Sequence, residues 1–186
     1  MVPITTLLAP IVLSAVIVFL ASFIIHMLLP FHRKDLRKFP KENELMEVLR
    51  QYDATAGDYA LPHAGSPAGM KNPEFIEKMN KGPLVLMTLS KGGSFSMGKS
   101  LVLWFLYSVL ISFFAAYVTG RAVGAGTHYP VIFRFVGTTS FMAYSFGLLQ
   151  NSIWYRRNWC TTLRSMFDGL IYALLTAGTF GWLWPR

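Results

Sequence analysis

The stretch 93–118, GSFSMGKSLVLWFLYSVLISFFAAYV, admits two readings that lead to different proteins. Its opening fits the phosphate-cradling pattern G-x-x-x-x-G-K-[ST], with Gly93, Gly98, Lys99 and Ser100 in the defining places. A phosphate loop needs a soluble α/β sheet, another strand that brings an Asp to magnesium, and a helix whose first turn faces water. Here the helix that follows Ser100 is apolar all round, and no apolar strand ending in Asp occurs anywhere in the chain. No nucleotide binding is therefore expected. The same letters describe a membrane entry, in which Ser96 caps the helix, Gly98 eases the turn, and Lys99 anchors its ammonium among headgroups.

Composition points the same way, with 53% of residues hydrophobic, 15% aromatic and 14% charged, against roughly 25% charged in ordinary soluble domains. The apolar residues fall into four runs: 10–29, about 101–119, about 129–149 and about 165–184. At about 1.5 Å per residue each can cross the roughly 30 Å hydrocarbon core. The fold class expected is an all-α membrane protein, a bundle of four transmembrane helices. It divides into a first helix within 1–30, a mixed insert or cap at 31–98, and three helices within 99–186. Pro10 suits the first helical position of the first helix, and Pro30 ends it. No Lys or Arg precedes that run, so it reads as a retained helix and not as a cleaved signal peptide.

Basic residues give the orientation. Arg33, Lys34, Arg37, Lys38 and Lys41 follow the first run, Lys91 and Lys99 precede the second, and Arg156, Arg157 and Arg164 lie between the last two. The other side holds Arg121 and Arg186. The positive-inside rule then puts 31–98 in the cytoplasm and both termini outside, in a bacterial inner membrane. Trp154, Tyr155 and Trp159 would mark one interface, and Trp182 and Trp184 the other. The net charge of +8 is thus an orientation signal, and no nucleic-acid partner is expected.

Within the insert, 39–52 and 71–83 have helical patterns. The second carries Asn72 as cap, Pro73 at the first position and Gly82 as a stop. The Gly/Pro/Ala-rich segment between them reads as irregular, and 83–98 as a short hairpin breaking at Lys91-Gly92-Gly93.

Candidate functional residues are sparse. Arg134 and Asp168 lie inside apolar runs, the default place to seek function. Their depths differ by roughly half the bilayer, so they are not expected to pair. Asp168 is expected to take Arg164 at i−4, and Arg134 to snorkel outward or to bond a neighbouring helix end. His26 and His32 straddle the end of the first helix, where an imidazole can ligate haem or metal. Their six-residue spacing across Pro30 matches no metal motif, so no metal site, cofactor or catalytic set is expected, and His26 and His32 remain weak cofactor candidates. His63 and His128 read as solvated loop residues, and the single Cys160 as incidental.

Small residues recur at i+4: Ser108, Ser112, Ala116, Gly120 and Gly124; Thr139, Ala143 and Gly147; Gly169, Ala173, Ala177 and Gly181. Such faces let helix backbones approach closely, within the chain or with a partner. Through LLPFHRKD, SMGKSLVLWFLY and DGLIYALLTAGTFGWLWP the chain resembles small multi-pass membrane proteins of bacteria whose function is unknown. The resemblance implies a bacterial inner membrane and carries no activity. The expected function is that of a structural or accessory component that packs with a membrane partner or with itself. The alternatives are a small-solute or ion transporter using Arg134 and Asp168, and a cofactor-bearing membrane protein centred on His26.

Overall fold

The computed structural model describes residues 1–93 and 96–186, and these divide into two compact units, Met1–Leu36 with Met97–Arg186, and Arg37–Ser96. Four helical spans of the first unit are long and apolar enough to cross a membrane: Ile4–Leu28, Met97–Ala122, Tyr129–Ile153 and Trp159–Leu183. They contain α1 (Leu8–Phe23), α4 (Met97–Ala122), α5 (Tyr129–Ser145) with its short continuation α6 (Leu149–Ile153), and α7 (Trp159–Leu183). The second unit contains α2 (Glu42–Gln51) and α3 (Pro73–Lys81).

One span starts where a capping group sits and not where hydrophobicity begins. α7 begins at Trp159, ahead of the apolar run, because the Asn158 side chain accepts the Cys160 N–H at 2.8 Å. Pro10 is not the first helical position expected of it: α1 starts at Leu8 after a 3-10 turn at Ile4–Leu7, and Pro10 is buried in its first turn, where a missing N–H still costs nothing. α4 and α7 each pack against both α1 and α5, which makes a four-membered ring of contacts. Direction alternates around that ring. The Val2 N–H donates to Gly120 O at 2.8 Å, which ties the start of the first span to the end of α4.

Two of the three small-residue faces are spent inside the bundle. Ser108, Ser112, Ala116 and Gly120 of α4 are buried, and so are Gly169, Ala173 and Ala177 of α7. Ser14 of α1 donates to Ser112 of α4 at 3.0 Å, an interhelical bond of the kind that membrane bundles use. A Cβ on Gly120 would come 2.8 Å from the Val2 carbonyl, so that position requires glycine. The third face is left on the outside of the bundle, with Ala143 and Gly147 exposed. The helix buries Ile132, Val136, Ser140 and Tyr144 instead, where side-chain volume fills the core. Gly124 lies past the end of α4, and its carbonyl accepts the Trp184 indole N–H at 3.0 Å. Trp184 is consequently 7% exposed and belongs to the core, unlike Trp182 at 76%.

Two apolar clusters follow. One gathers Leu7, Ile11, Ala115, Ala116, Ile132, Val136, Ala177 and Phe180; the other gathers Val18, Ile25, Ile111, Tyr144 and Tyr172 near the opposite end.

In the second unit α2 and α3 form where their patterns predict. Asn72 caps α3 by accepting the Glu74 N–H at 2.9 Å, and Gly82 stops it at a φ of 61°. The hairpin expectation needs correction. β2 (Val85–Leu89) pairs antiparallel with β1 (Gly57–Leu61), from Gly57 opposite Leu89 to Leu61 opposite Val85. β1 comes from the segment read as irregular. Its residues are Gly-Asp-Tyr-Ala-Leu, too short and too weakly alternating to announce a strand. The pattern 93–100 therefore follows a strand of a two-stranded antiparallel sheet, and its central residues 94 and 95 lie outside the described residues.

Candidate metal centre

The site is built where the first span ends. After Phe23 the backbone widens into one π turn, Ile24–Leu28, closed by the Leu29 N–H donating to Ile24 O at 3.1 Å. Such turns inside α-helices occur often at functional sites. Pro30 has no N–H and disfavours helical backbone at the residue before it, and Leu29 is extended at φ −86° and ψ 144°. A 3-10 turn, Pro30–His32, follows. On a straight helix residues six apart point about 120° from each other. The π turn and the break undo that, and the His26 and His32 rings stack with centroids 4.5 Å apart and planes 4° apart.

Each ring has one nitrogen engaged. His26 Nδ1 lies 3.1 Å from the Ser22 carbonyl, which can only accept, so Nδ1 carries the proton. His32 Nδ1 lies 2.6 Å from Asp35 Oδ2 and donates to that carboxylate in the same way. In a neutral imidazole the other nitrogen, Nε2, then holds a lone pair. α7 supplies the third group. Asp168 lies 2.9 Å from His32 Nε2 through Oδ2. That approach is not aligned as a hydrogen bond, and neither His32 Nε2 nor Asp168 Oδ1 has a hydrogen-bond partner among the described residues. One ligand atom each from His26, His32 and Asp168 lies within 4.8 Å of the other two.

Asp35 supports this set from behind. Its Oδ1 accepts from Arg164 at 2.7 Å while Oδ2 accepts from His32. Burial pushes the Asp35 carboxyl up, but the hydrogen bonds from His32 and Arg164 and their charges outweigh it and hold the group below the ordinary carboxylate range. Arg164 thus serves Asp35 and not Asp168, its neighbour one turn along α7 as the spacing suggested.

Toward the bundle interior the site is closed by aromatic rings. Tyr172, one turn beyond Asp168, packs against Trp104 at 5.8 Å and Tyr144 at 5.5 Å between ring centroids. On another side Asp168 lines a groove of about 280 Å³ with Ile25, Leu29, Pro30, Phe31, Phe167 and Ile171.

The other candidates stand apart. Arg134 is exposed on α5. His63 and His128 are exposed outside the helices, and Cys160 is exposed in the first turn of α7. Lys99 stands in the first turn of α4. The structure thus joins His26, His32 and Asp168, and adds Asp35, which no sequence pattern marked. The six-residue spacing concerns neighbours in sequence alone, whereas the third group that could hold an ion, Asp168, comes from α7.

No family model, curated protein or solved structure matches this chain. The chemistry of the site therefore rests on its own geometry.

Two histidines and a carboxylate are a ligand set suited to zinc and related divalent transition ions. With metal–ligand bonds of about 2.0–2.1 Å, tetrahedral ligand atoms stand about 3.3 Å apart, so His32 Nε2 and Asp168 Oδ2, now 2.9 Å apart, would separate slightly while His26 draws in. His26, exposed at the lip, is the one with room to move.

Proposed function

We propose that this protein is a membrane-embedded metalloprotein that holds one divalent transition-metal ion between His26, His32 and Asp168. One observation carries the reading: both imidazoles donate Nδ1–H to an oxygen, Ser22 O for His26 and Asp35 Oδ2 for His32, and keep Nε2 for a cation. Metal-bound histidines almost always have such a partner, which fixes the tautomer and raises ligand basicity. The chain itself would bind the ion, orient it through Asp35 and Arg164, and exclude water on the side closed by Tyr172 and Trp104. The ion would supply Lewis acidity to whatever occupies its remaining position.

The test is cobalt(II) titration of metal-free protein in detergent, read by visible d–d absorption and by metal content. One equivalent is expected to bind, and binding should weaken by more than about tenfold in His32→Ala and in Asp168→Asn. Cobalt binding that survives in the double variant, or that is absent from the wild type, overturns the reading.

The membrane assigned is a bacterial inner membrane, with the metal centre and residues 37–96 on the cytoplasmic side. Arg33, Lys34, Arg156 and Arg157 support this, since they surround the end of the bundle where α1 stops and α7 starts. Cys160 is the single cysteine and is exposed at that same end. A membrane-impermeant maleimide should label it in inside-out vesicles and spare it in spheroplasts; the reverse pattern sinks the orientation.

A further inference from the structure

We infer that the open position of this metal centre takes a dianionic phosphate group, with one oxygen on the ion and another on the Arg164 guanidinium. The inference rests on the metal reading of His26, His32 and Asp168 and names what that centre binds. Three protein ligands leave a tetrahedral ion one position for water or substrate. Along α7 the site lies between two turns of unequal exposure. Tyr172, four residues after Asp168, is 3% exposed and packs against Trp104 and Tyr144. Arg164, four residues before Asp168 and on the same face, has a side chain 34% exposed. His26, a ligand itself, is exposed in the last turn of the first span. The centre is therefore closed toward the bundle interior and open toward the end where α1 stops and α7 starts.

Two observations select the chemistry that fits there. The first is charge. Asp35 and Asp168 are the only acids in residues 1–36 and 97–186, and both are engaged, Asp35 by His32 and Arg164 and Asp168 by the ion. A divalent ion with one carboxylate and two neutral imidazoles keeps a positive charge, and Arg33 and Lys34, exposed directly after His32, add to it. Such a field favours a dianion over a singly charged or neutral donor. The second is the unused part of Arg164. It donates to Asp35 through Nη1 at 2.7 Å, and a guanidinium carries five N–H donors in one plane, so Nε and Nη2 remain for another acceptor. Asp35 also accepts from His32 at 2.6 Å, so a single carboxylate ties this fork to a ligand of the ion. A metal ion together with a guanidinium suits a group with several charged oxygens, as in the clamps that hold phosphoryl groups. Phosphate carries about −1.5 to −2 charges at neutral pH and three strong acceptor oxygens. Acetate can reach the ion, but it brings one charge and two oxygens.

The test uses full-length cobalt-loaded protein in maltoside, desalted to remove free cobalt. Phosphate and acetate are titrated separately while the d–d bands and the metal content are followed. Phosphate should shift the bands at a concentration at least about tenfold below that of acetate, the effect of one hydrogen bond to a charged group. Arg164→Gln should lose most of that preference. The ratio is taken within one protein, so any change in cobalt affinity that acts through Asp35 cancels. Arg164→Lys, which lacks the planar fork, repeats the test should the first variant fail to fold. A wild-type ratio retained in the variant that folds overturns the inference. So does a wild type in which phosphate acts no better than acetate, and in both cases the metal reading survives. Absence of cobalt bands removes the metal reading, and the inference falls with it. Dioctanoyl phosphatidic acid, followed by cobalt broadening of its phosphorus NMR line, then separates a lipid head from free phosphate. Broadening that excess inorganic phosphate fails to reverse assigns the lipid; reversal, or no broadening, assigns the free ion.

Discussion

The bundle and the 37–96 unit both pair acids with bases, but they do so at opposite extremes of burial. In the second unit Lys41 meets Glu44, Arg50 meets Glu47 and Lys78 meets Glu74, each three or four residues apart on one helix, with side chains 61–76% exposed. At the bundle end His32, Asp35, Arg164 and Asp168 meet with the two Asp side chains only 12% and 4% exposed, and they come from segments more than 120 residues apart. The bonded distances are alike, 2.6–3.0 Å for the exposed pairs and 2.6–2.7 Å for the bonds of His32 and Arg164 to Asp35. What differs is the medium. Water screens the exposed pairs almost to neutrality, whereas a buried carboxylate without its partners suffers the cost of desolvation. Distance alone therefore says little about which charges hold the molecule together.

The sharpest way to break the contrast is Asp35→Ala. It removes the acceptor of both His32 Nδ1 and Arg164, and leaves a partly buried guanidinium and an imidazole without their oxygen. Uncompensated groups of this kind cost about 3 kcal/mol, and loss of a ligand's supporting carboxylate costs about 10–100-fold in metal affinity. Denaturant unfolding in detergent reads the first and cobalt titration the second. If both stay at wild-type values, the network is ornamental and the contrast collapses.

How far the sequence speaks depends on how local the cause is. The four spans are legible because each carries its own apolar run, and α3 because Asn72, Pro73 and Gly82 mark its ends. β1 is not legible, since Gly57-Asp58-Tyr59 becomes a strand only by pairing with β2 across the chain. The inward face of α5 is not the one its small residues mark, since the helix buries Ile132, Val136, Ser140 and Tyr144 where it packs in the bundle with α7 and α4. His26, His32 and Asp168 each stand out singly but not as a set. Depth alone could have joined two of them: His32 follows the end of α1, and Asp168 lies in the early turns of α7, which packs against it. The π turn at Ile24–Leu28, which brings His26 over His32, has no sequence signal beyond Pro30. Asp35 was invisible because its role depends on Arg164, which arrives from α7.

The smallest expected effect comes from Glu74→Gln, and it sharpens the same comparison. Glu74 takes a hydrogen bond from Lys78 at 2.6 Å, as short as any in the bundle network. That bond and the Lys78 charge hold the Glu74 carboxyl below its ordinary range and raise the Lys78 ammonium above its own. A carboxyl lowered on folding stabilises above its unfolded pKa, and the contribution disappears as pH falls through the folded value. A raised ammonium stabilises below its unfolded pKa, and that contribution disappears as pH rises through its folded value. Both are in force at neutral pH, yet both groups are fully open to water, where screening removes most of the gain. Glu74→Gln should accordingly leave the melting temperature at pH 7 unchanged within error, with helical circular dichroism intact. A clear drop at pH 7 that vanishes in acid would mean that this pair is shielded from solvent in the membrane-bound protein, and exposure could no longer separate the two kinds of charge pair.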